Sequence, residues 1–135
     1  MFPLRLRISR IIRETADASS FVLEPVDQRV MTYQAGQFLT FIFRQSGGVE
    51  ARRSYSIAST PLLQEPLKIT VKRVANGEYS RRLLDKAREG DELLTIGASG
   101  FFILPHVWDQ FEKLIFFAAG SGIVPVHALI KTVLH

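Results

Sequence analysis

Arg53-Ser54-Tyr55-Ser56 sets a fixed cation, an aromatic ring and two hydroxyls in consecutive positions, inside the run Ala51 to Pro61. If this run is a strand, Tyr55, Ile57 and Ser59 share one face, and Ser54, Ser56 and Ala58 the other. At roughly 3.3 Å per residue, the guanidinium, the ring and the hydroxyls then lie within one ligand's length of each other. The planar fork of an arginine suits a phosphate, since it can bind two oxygens at once. A tyrosine face suits a flat heterocycle, and a serine hydroxyl can bond to a ring nitrogen. Together these groups fit a nucleotide that carries a planar ring. The same residues also fit a half-buried strand with solvated arginines, and this run alone does not separate the two readings.

Two further stretches bear on anion binding. The strand-like pattern breaks at Asn76-Gly77-Glu78-Tyr79-Ser80. Ser80 has N-cap chemistry, and Leu83, Leu84 and Ala87 form one apolar stripe on a short helix expected to end at Gly90. Backbone N–H groups at such a helix start, loosened by Gly77, offer a site for a phosphate. Arg53 and the Gly77–Ser80 turn would then grip one pyrophosphate from two sides. The plainer alternative is a capped helix packed over the open end of a barrel. Near the C-terminus, Lys113 leads into a continuous apolar run, Leu114 to Ala119, and the stretch is read as a strand buried on both faces. Gly120-Ser121-Gly122-Ile123-Val124-Pro125 follows, then Val126 to Leu134 at helical spacing. Strand, glycine turn and helix make the first unit of a nucleotide-binding α/β domain, and Pro125 fits the first helical turn.

The elements that must position these groups are mostly short strands. Phe2 to Ile12, Ser20 to Glu24, Gln37 to Phe43, the arginine run, Leu67 to Val74 and Asp91 to Gly97 carry strand patterning, with a hairpin turn on Gly47-Gly48. Antiparallel strands without crossover helices predict a closed or nearly closed barrel over residues 1–107, with an α/β unit beginning over 108–135. The 47% hydrophobic and 22% charged content is ordinary for a globular protein. A net charge of +4, from 17 basic and 13 acidic residues, gives little support to nucleic-acid binding. Basic doublets at 52–53, 72–73 and 81–82 near aromatics keep an oligonucleotide-binding barrel as a competing reading, against which the glycine turn after Phe117 argues. With no cysteine, this chain can hold no disulfide and no cysteine-bound iron–sulfur cluster or zinc. His106, His127 and His135 share no metal-ligand spacing, so no metal site is expected. Leu4-Arg5-Leu6-Arg7-Ile8 alternates like a strand and not like a signal peptide, and no run approaches the roughly 18 apolar residues of a membrane span. A cytoplasmic protein is expected.

Arg53-Ser54-Tyr55-Ser56, Val71-Lys72-Arg73, Gly77-Glu78-Tyr79-Ser80, Gly100-Phe101-Phe102 and Gly120-Ser121-Gly122-Ile123-Val124-Pro125 occur in this order along the chain. In order and spacing they resemble the ferredoxin–NADP reductase superfamily, above all the NAD(P)H reductase components of bacterial multicomponent oxygenases and the reductase part of flavohaemoglobins. The resemblance implies a mainly β protein, an antiparallel six-stranded FAD-binding barrel with one short capping helix, followed by a pyridine-nucleotide domain. It implies that Arg53 binds the FAD pyrophosphate, that Tyr55 lies against the isoalloxazine, and that Ser56 bonds near its reactive nitrogen, with Ser54 between them. Tyr55 and Ser56 are thus the residues nearest the chemistry. The backbone of Thr70, Val71 and Lys72 would meet the ring and ribityl chain, and Gly77, Glu78, Tyr79 and Ser80 would cap the pyrophosphate. Gly120, Ser121, Gly122 and Pro125 would border the NAD(P)H site. FMN would suit the same turn, since both flavins carry a phosphate.

The implied activity is that of an NAD(P)H oxidoreductase passing electrons through FAD to an iron–sulfur or haem acceptor on another chain or domain. Only the first strand and helix of the pyridine-nucleotide domain lie within these 135 residues. Poor turnover with NAD(P)H is therefore expected, as is an apolar surface on Leu114 to Ala119, Val124, Leu129 and Ile130 that invites homo-oligomers. A flavin- or nucleotide-binding barrel that catalyses nothing is the alternative reading.

Overall fold

The structure is a computed structural model and describes residues 2–135. Its six strands are β1 (Leu4–Arg13), β2 (Ala18–Pro25), β3 (Phe38–Arg44), β4 (Glu50–Ser56), β5 (Lys68–Lys72) and β6 (Glu92–Ser99). Helix α1 (Glu78–Lys86) lies between β5 and β6, and α2 (Ile123–Val133) follows them all. The strands form one sheet in the order β4-β3-β6-β1-β2-β5, and every pairing is antiparallel. The two ends of this order meet at an Ile57–Ile69 bridge, where the Ala58 N–H also donates to the Lys68 carbonyl at 2.7 Å. That contact rolls the sheet into a barrel.

Alternation drives this closure. Leu6 and Ile8, Phe21 and Leu23, Leu39, Phe41 and Phe43, Ile57, and Ile69 and Val71 all point inward and are buried together. The intervening Arg5 and Arg7 stay outside, paired loosely with Glu92 and Glu24. The Gly47-Gly48 hairpin forms as expected, closed by the Gln45 N–H on the Val49 carbonyl at 2.8 Å. The fold is the mainly β barrel that the residue pattern predicts.

Two local expectations are corrected. Ser80 is not the N-cap of α1, because Gly77 occupies that position. The Ser80 hydroxyl instead turns back, accepting from the Val74 N–H at 3.1 Å and donating to the Gly77 carbonyl at 3.2 Å. The helix also stops at Lys86 rather than running to Gly90, since Ala87 is already extended. Gly90, at φ 95°, belongs to a separate turn whose N–H bonds to the Ile8 carbonyl at 2.7 Å.

The largest departure is Leu114 to Ala119, where no strand forms. Ile115 and Phe117 are 77% and 90% exposed. An extended segment becomes a strand only against a neighbour that takes its N–H and C=O groups, and none lies beside this one. Helix α2 fares better than expected. Val124, Val126, Ala128 and Leu129 are buried, the last two against Ala35, Leu104 and Phe116. Pro125 lies in the first turn of α2, where its missing N–H leaves nothing unpaired.

The loop after β6 crosses closely over Gly36. At φ 94°, a β-carbon on Gly36 would sit 1.8 Å from the Phe102 carbonyl oxygen. Gly48, at φ 80°, has open space around it. Gly36→Ala is expected to cost about 3 kcal/mol or more, through overlap with backbone added to strain. Gly48→Ala should cost about 1–2 kcal/mol, from backbone conformation alone. Urea unfolding midpoints of the two variants check this, and equal losses would refute the close approach at Gly36.

Candidate functional site

The site is built on the seam where the barrel barely closes. Apart from the Ile57–Ile69 bridge, β4 pairs only with β3, and β5 only with β2. Because the bridge is antiparallel, Arg53 to Ser56 and Thr70 to Lys72 leave it on the same side. They run along facing edges without pairing. Strand edges of this kind offer a row of N–H and C=O groups to whatever lies between them. The residues predicted to meet a flat ring are therefore brought together, from two strands that are distant in sequence.

Side chains along the seam differ in what they can offer. Tyr55 is half-buried, its ring 6.2 Å from that of Phe41 and tilted by 42°. Burial raises the Tyr55 phenol above its ordinary range, against the lowering effect of the Arg53 charge, so the ring stays neutral near pH 7. Ser56 makes no side-chain hydrogen bond among the described residues, whereas Ser54 shares one with Thr40 at 2.8 Å. The Thr70 hydroxyl is engaged with Ser20 at 2.7 Å, and the Val71 side chain is wholly in the core. Thr70 and Val71 are thus left mainly with backbone groups to present. Lys72 is exposed.

Arg53 is exposed and unpaired by any carboxylate among the described residues. One of its guanidinium nitrogens donates to the Arg52 carbonyl at 2.7 Å, and its Cζ lies 5.0 Å from the centroid of the Tyr79 ring. Tyr79 is the second residue of α1, so this contact holds the cation beside the helix start. There the first N–H groups of the helix lack intrahelical acceptors. Gly77 is needed in this turn, since a β-carbon would lie 2.8 Å from both the Ser80 hydroxyl and Val74. Glu78 points to solvent, while the Tyr79 and Ser80 side chains are buried. Those two residues therefore have backbone, and not side chains, to give an anion.

The glycine turn Gly120–Gly122 is exposed and reaches the β5 end of the seam. A β-carbon on Gly120 would sit 3.5 Å from Lys72 Nζ. Helix α2 is held there by polar contacts that local sequence does not announce. Thr60 and Thr132 share a hydrogen bond at 2.7 Å, and Lys131 Nζ pairs with Glu65 Oε1. Also unforeseen are Phe43 and Gln45, which fix Tyr79 by a 4.5 Å ring stack and a 2.6 Å hydrogen bond to its hydroxyl. A cavity of about 720 Å³ lies elsewhere, between α1 and strands β1, β3 and β6, and includes neither Arg53 nor Tyr55. No helix among the described residues is long and apolar enough to cross a membrane, and no group of three potential metal ligands occurs among them.

Comparison with known proteins agrees with this architecture. Residues 5–103 match the family described as the oxidoreductase FAD-binding domain, and the chain belongs to that family. It is 37% identical over 131 residues to a flavohemoprotein of Pseudomonas aeruginosa, a match covering 96% of this chain and 32% of that protein. It is 35% identical over 136 residues to the ferredoxin reductase component of the 3-ketosteroid-9-alpha-monooxygenase of Mycolicibacterium smegmatis, covering 97% and 38%. Among solved structures, the cytochrome P450 reductase of Amycolatopsis superposes with a TM-score of 0.81 at 25% identity, over 98% of this chain and 39% of that one. The chain thus spans about a third of the length of the curated relatives it matches.

The clamp on α2 has a pH signature. Burial pushes the Glu65 carboxyl up, but the Lys131 hydrogen bond, the Thr60 N–H and the Lys131 and Lys68 charges outweigh it and hold the carboxyl below its ordinary value of 4.5. A lowered folded pKa means that the contribution is fully present above the unfolded value and is lost as pH falls through the folded one. Glu65→Gln should therefore lower the unfolding temperature at pH 7, with the gap to wild type shrinking below about pH 4.5. Thermal unfolding between pH 3 and 7 measures the gap; a gap independent of pH would show that the carboxylate charge is not what holds α2.

Proposed function

We propose that the seam between β4 and β5 holds the flavin of FAD, and that residues 1–107 form the flavin domain of an NAD(P)H oxidoreductase. The observation that carries this reading is the pair of unpaired strand edges, with a free arginine stationed at a helix start at one end. The groups present fit a flavin nucleotide. A neutral, half-buried Tyr55 offers a ring face, the unengaged Ser56 hydroxyl can bond to a ring nitrogen, and the Thr70–Lys72 backbone can meet the ring edge. Arg53 and the N–H groups of Glu78 to Ser80, reached past Gly77, would take the phosphates. The apolar and hydrogen-bonded surroundings of Tyr55 would exclude water from one side of the ring. Ser54, bonded to Thr40, would keep the strand in register between Arg53 and Tyr55.

When bound, flavin supplies hydride acceptance from a nicotinamide and release of electrons one at a time. The residues of this chain provide orientation and charge, and none is needed as a covalent nucleophile. In this reading residues 108–135 begin the pyridine-nucleotide domain, with Gly120, Ser121, Gly122 and Pro125 bordering the NAD(P)H site beside Lys72. An iron–sulfur or haem acceptor is the partner, in keeping with the flavohemoprotein and ferredoxin reductase names of the relatives. Action in the cytoplasm belongs to the same proposal.

Arg53→Ala is expected to weaken FAD binding by about 1.5–3 kcal/mol, the usual worth of a charge-assisted contact. Equilibrium titration of flavin-stripped protein, followed by flavin fluorescence, measures this, and equal affinities in wild type and variant would overturn the phosphate assignment. A second expectation concerns the donor side. With Leu114 to Ala119 unpaired, Gly120–Gly122 is an isolated turn and not the edge of a crevice between strands. Photoreduction of the FAD-loaded chain should bleach the flavin, while NADH and NADPH should do so slowly and without saturation. Fast, saturable reduction in stopped-flow mixing would show that these residues already contain a working nicotinamide site.

A further inference from the structure

Tyr79 falls in a helix turn where sequence assigned it to the phosphate cap, yet its side chain does something else. It is 2% exposed, so it cannot face a ligand. One side of its ring stacks on Phe43 with centroids 4.5 Å apart, and its hydroxyl accepts from Gln45 Nε2 at 2.6 Å. Both partners come from β3 and the residue just after it, so the ring is fixed to the barrel and not only to α1. The Arg53 guanidinium rests 5.0 Å from the centroid of that fixed ring. A guanidinium over a tyrosine face is attracted by the ring's negative quadrupole, and more strongly so where water is partly excluded.

We infer that Tyr79 is a positioning residue for Arg53. It would hold the guanidinium at the start of α1, ready to meet a flavin phosphate together with the helix N–H groups. A free arginine samples many rotamers, and ordering it on binding opposes affinity. A ring that already restrains it removes part of that loss. Tyr79 thus ties the strand cation and the helix start into one anion site, with Phe43 and Gln45 keeping the ring still. The inference rests on the reading that Arg53 takes the phosphate, and the two can be tested apart.

The experiment titrates the flavin-stripped 135-residue chain with FAD, FMN and riboflavin, the last of which carries no phosphate. Tyr79→Leu should weaken FAD and FMN roughly three- to tenfold, the range expected from one cation–π contact, and leave riboflavin unchanged. Tyr79→Phe should bind almost as wild type, because the ring face and the Phe43 stack remain. In an Arg53→Ala background, Tyr79→Leu should have no further effect. If the leucine variant does not fold, phenylalanine at position 79 carrying one, two and three fluorines replaces it. Fluorination drains the ring face at nearly constant size, and FAD affinity should then fall stepwise. Equal weakening of riboflavin, additive losses with Arg53→Ala, or a flat fluorination series would each overturn the positioning role. If Arg53→Ala alone leaves FAD affinity unchanged, the phosphate assignment falls and this inference with it.

Discussion

Most of what this molecule can do depends on how its barrel closes at a single bridge. Ile57 and Ile69 are both completely buried, and their contact joins the two ends of a six-stranded sheet. On one side of the bridge the Ala58–Lys68 hydrogen bond continues the seal. On the other the strands part. Their facing segments carry Arg52 and Arg53 on one side and Lys72 and Arg73 on the other, and like charges across a strand pair oppose zipping. Arg73 makes a bidentate pair with Asp85 of α1, at 2.9 and 2.7 Å, which ties the end of β5 to that helix. The unpaired seam thus carries cations along both edges, and Arg53, which pairs with no carboxylate among the described residues, suits a phosphate-bearing ligand.

Alternation along β1, β2, β3, β5 and β6 is plain in the sequence, because each strand has one face in the core and a period of two shows it. The Gly47-Gly48 turn is equally plain, since glycines between two such runs admit a hairpin. Less could be read where a residue has two uses. Ser80 has the chemistry of an N-cap, but the close packing of Gly77 on Val74 leaves Ser80 to brace the turn from inside the helix. The apolar run at Leu114 to Ala119 reports a demand for burial, and a demand for burial does not supply the neighbour that satisfies it.

The candidate site was legible as a set of residue types and as a resemblance, though not as an arrangement. Nothing local in the sequence says that Tyr79 lies under Arg53. That contact needs the hairpin to deliver Phe43 and Gln45 beneath the helix start. Nor does any pattern join Thr60 to Thr132, which lie 72 positions apart. Such pairs are made by barrel closure and by the docking of α2, and both are properties of the whole chain. The docking has a consequence for the site. Glu65, Thr60 and Ala35 belong to the loops beside the bridge, so the helix that carries the glycine turn is registered against the same bridge at which the open seam begins.

An unpaired strand edge occurs twice in this structure, with opposite results. β4 and β5 each keep one hydrogen-bonded neighbour, so they remain strands, and their free edges are held in fixed geometry at no further entropic cost. A ligand entering between them would meet groups that are already ordered, the condition under which backbone contacts favour binding most. Lys113 to Ala119 has no neighbour on either side, and its apolar side chains stand largely in solvent. Any partner for that segment would have to order it as well as bury it. The two barrel edges are therefore ordered by their existing neighbours, whereas Lys113 to Ala119 is held by no strand neighbour in this structure. The difference comes from one missing ladder of hydrogen bonds, and not from any lack of hydrophobicity.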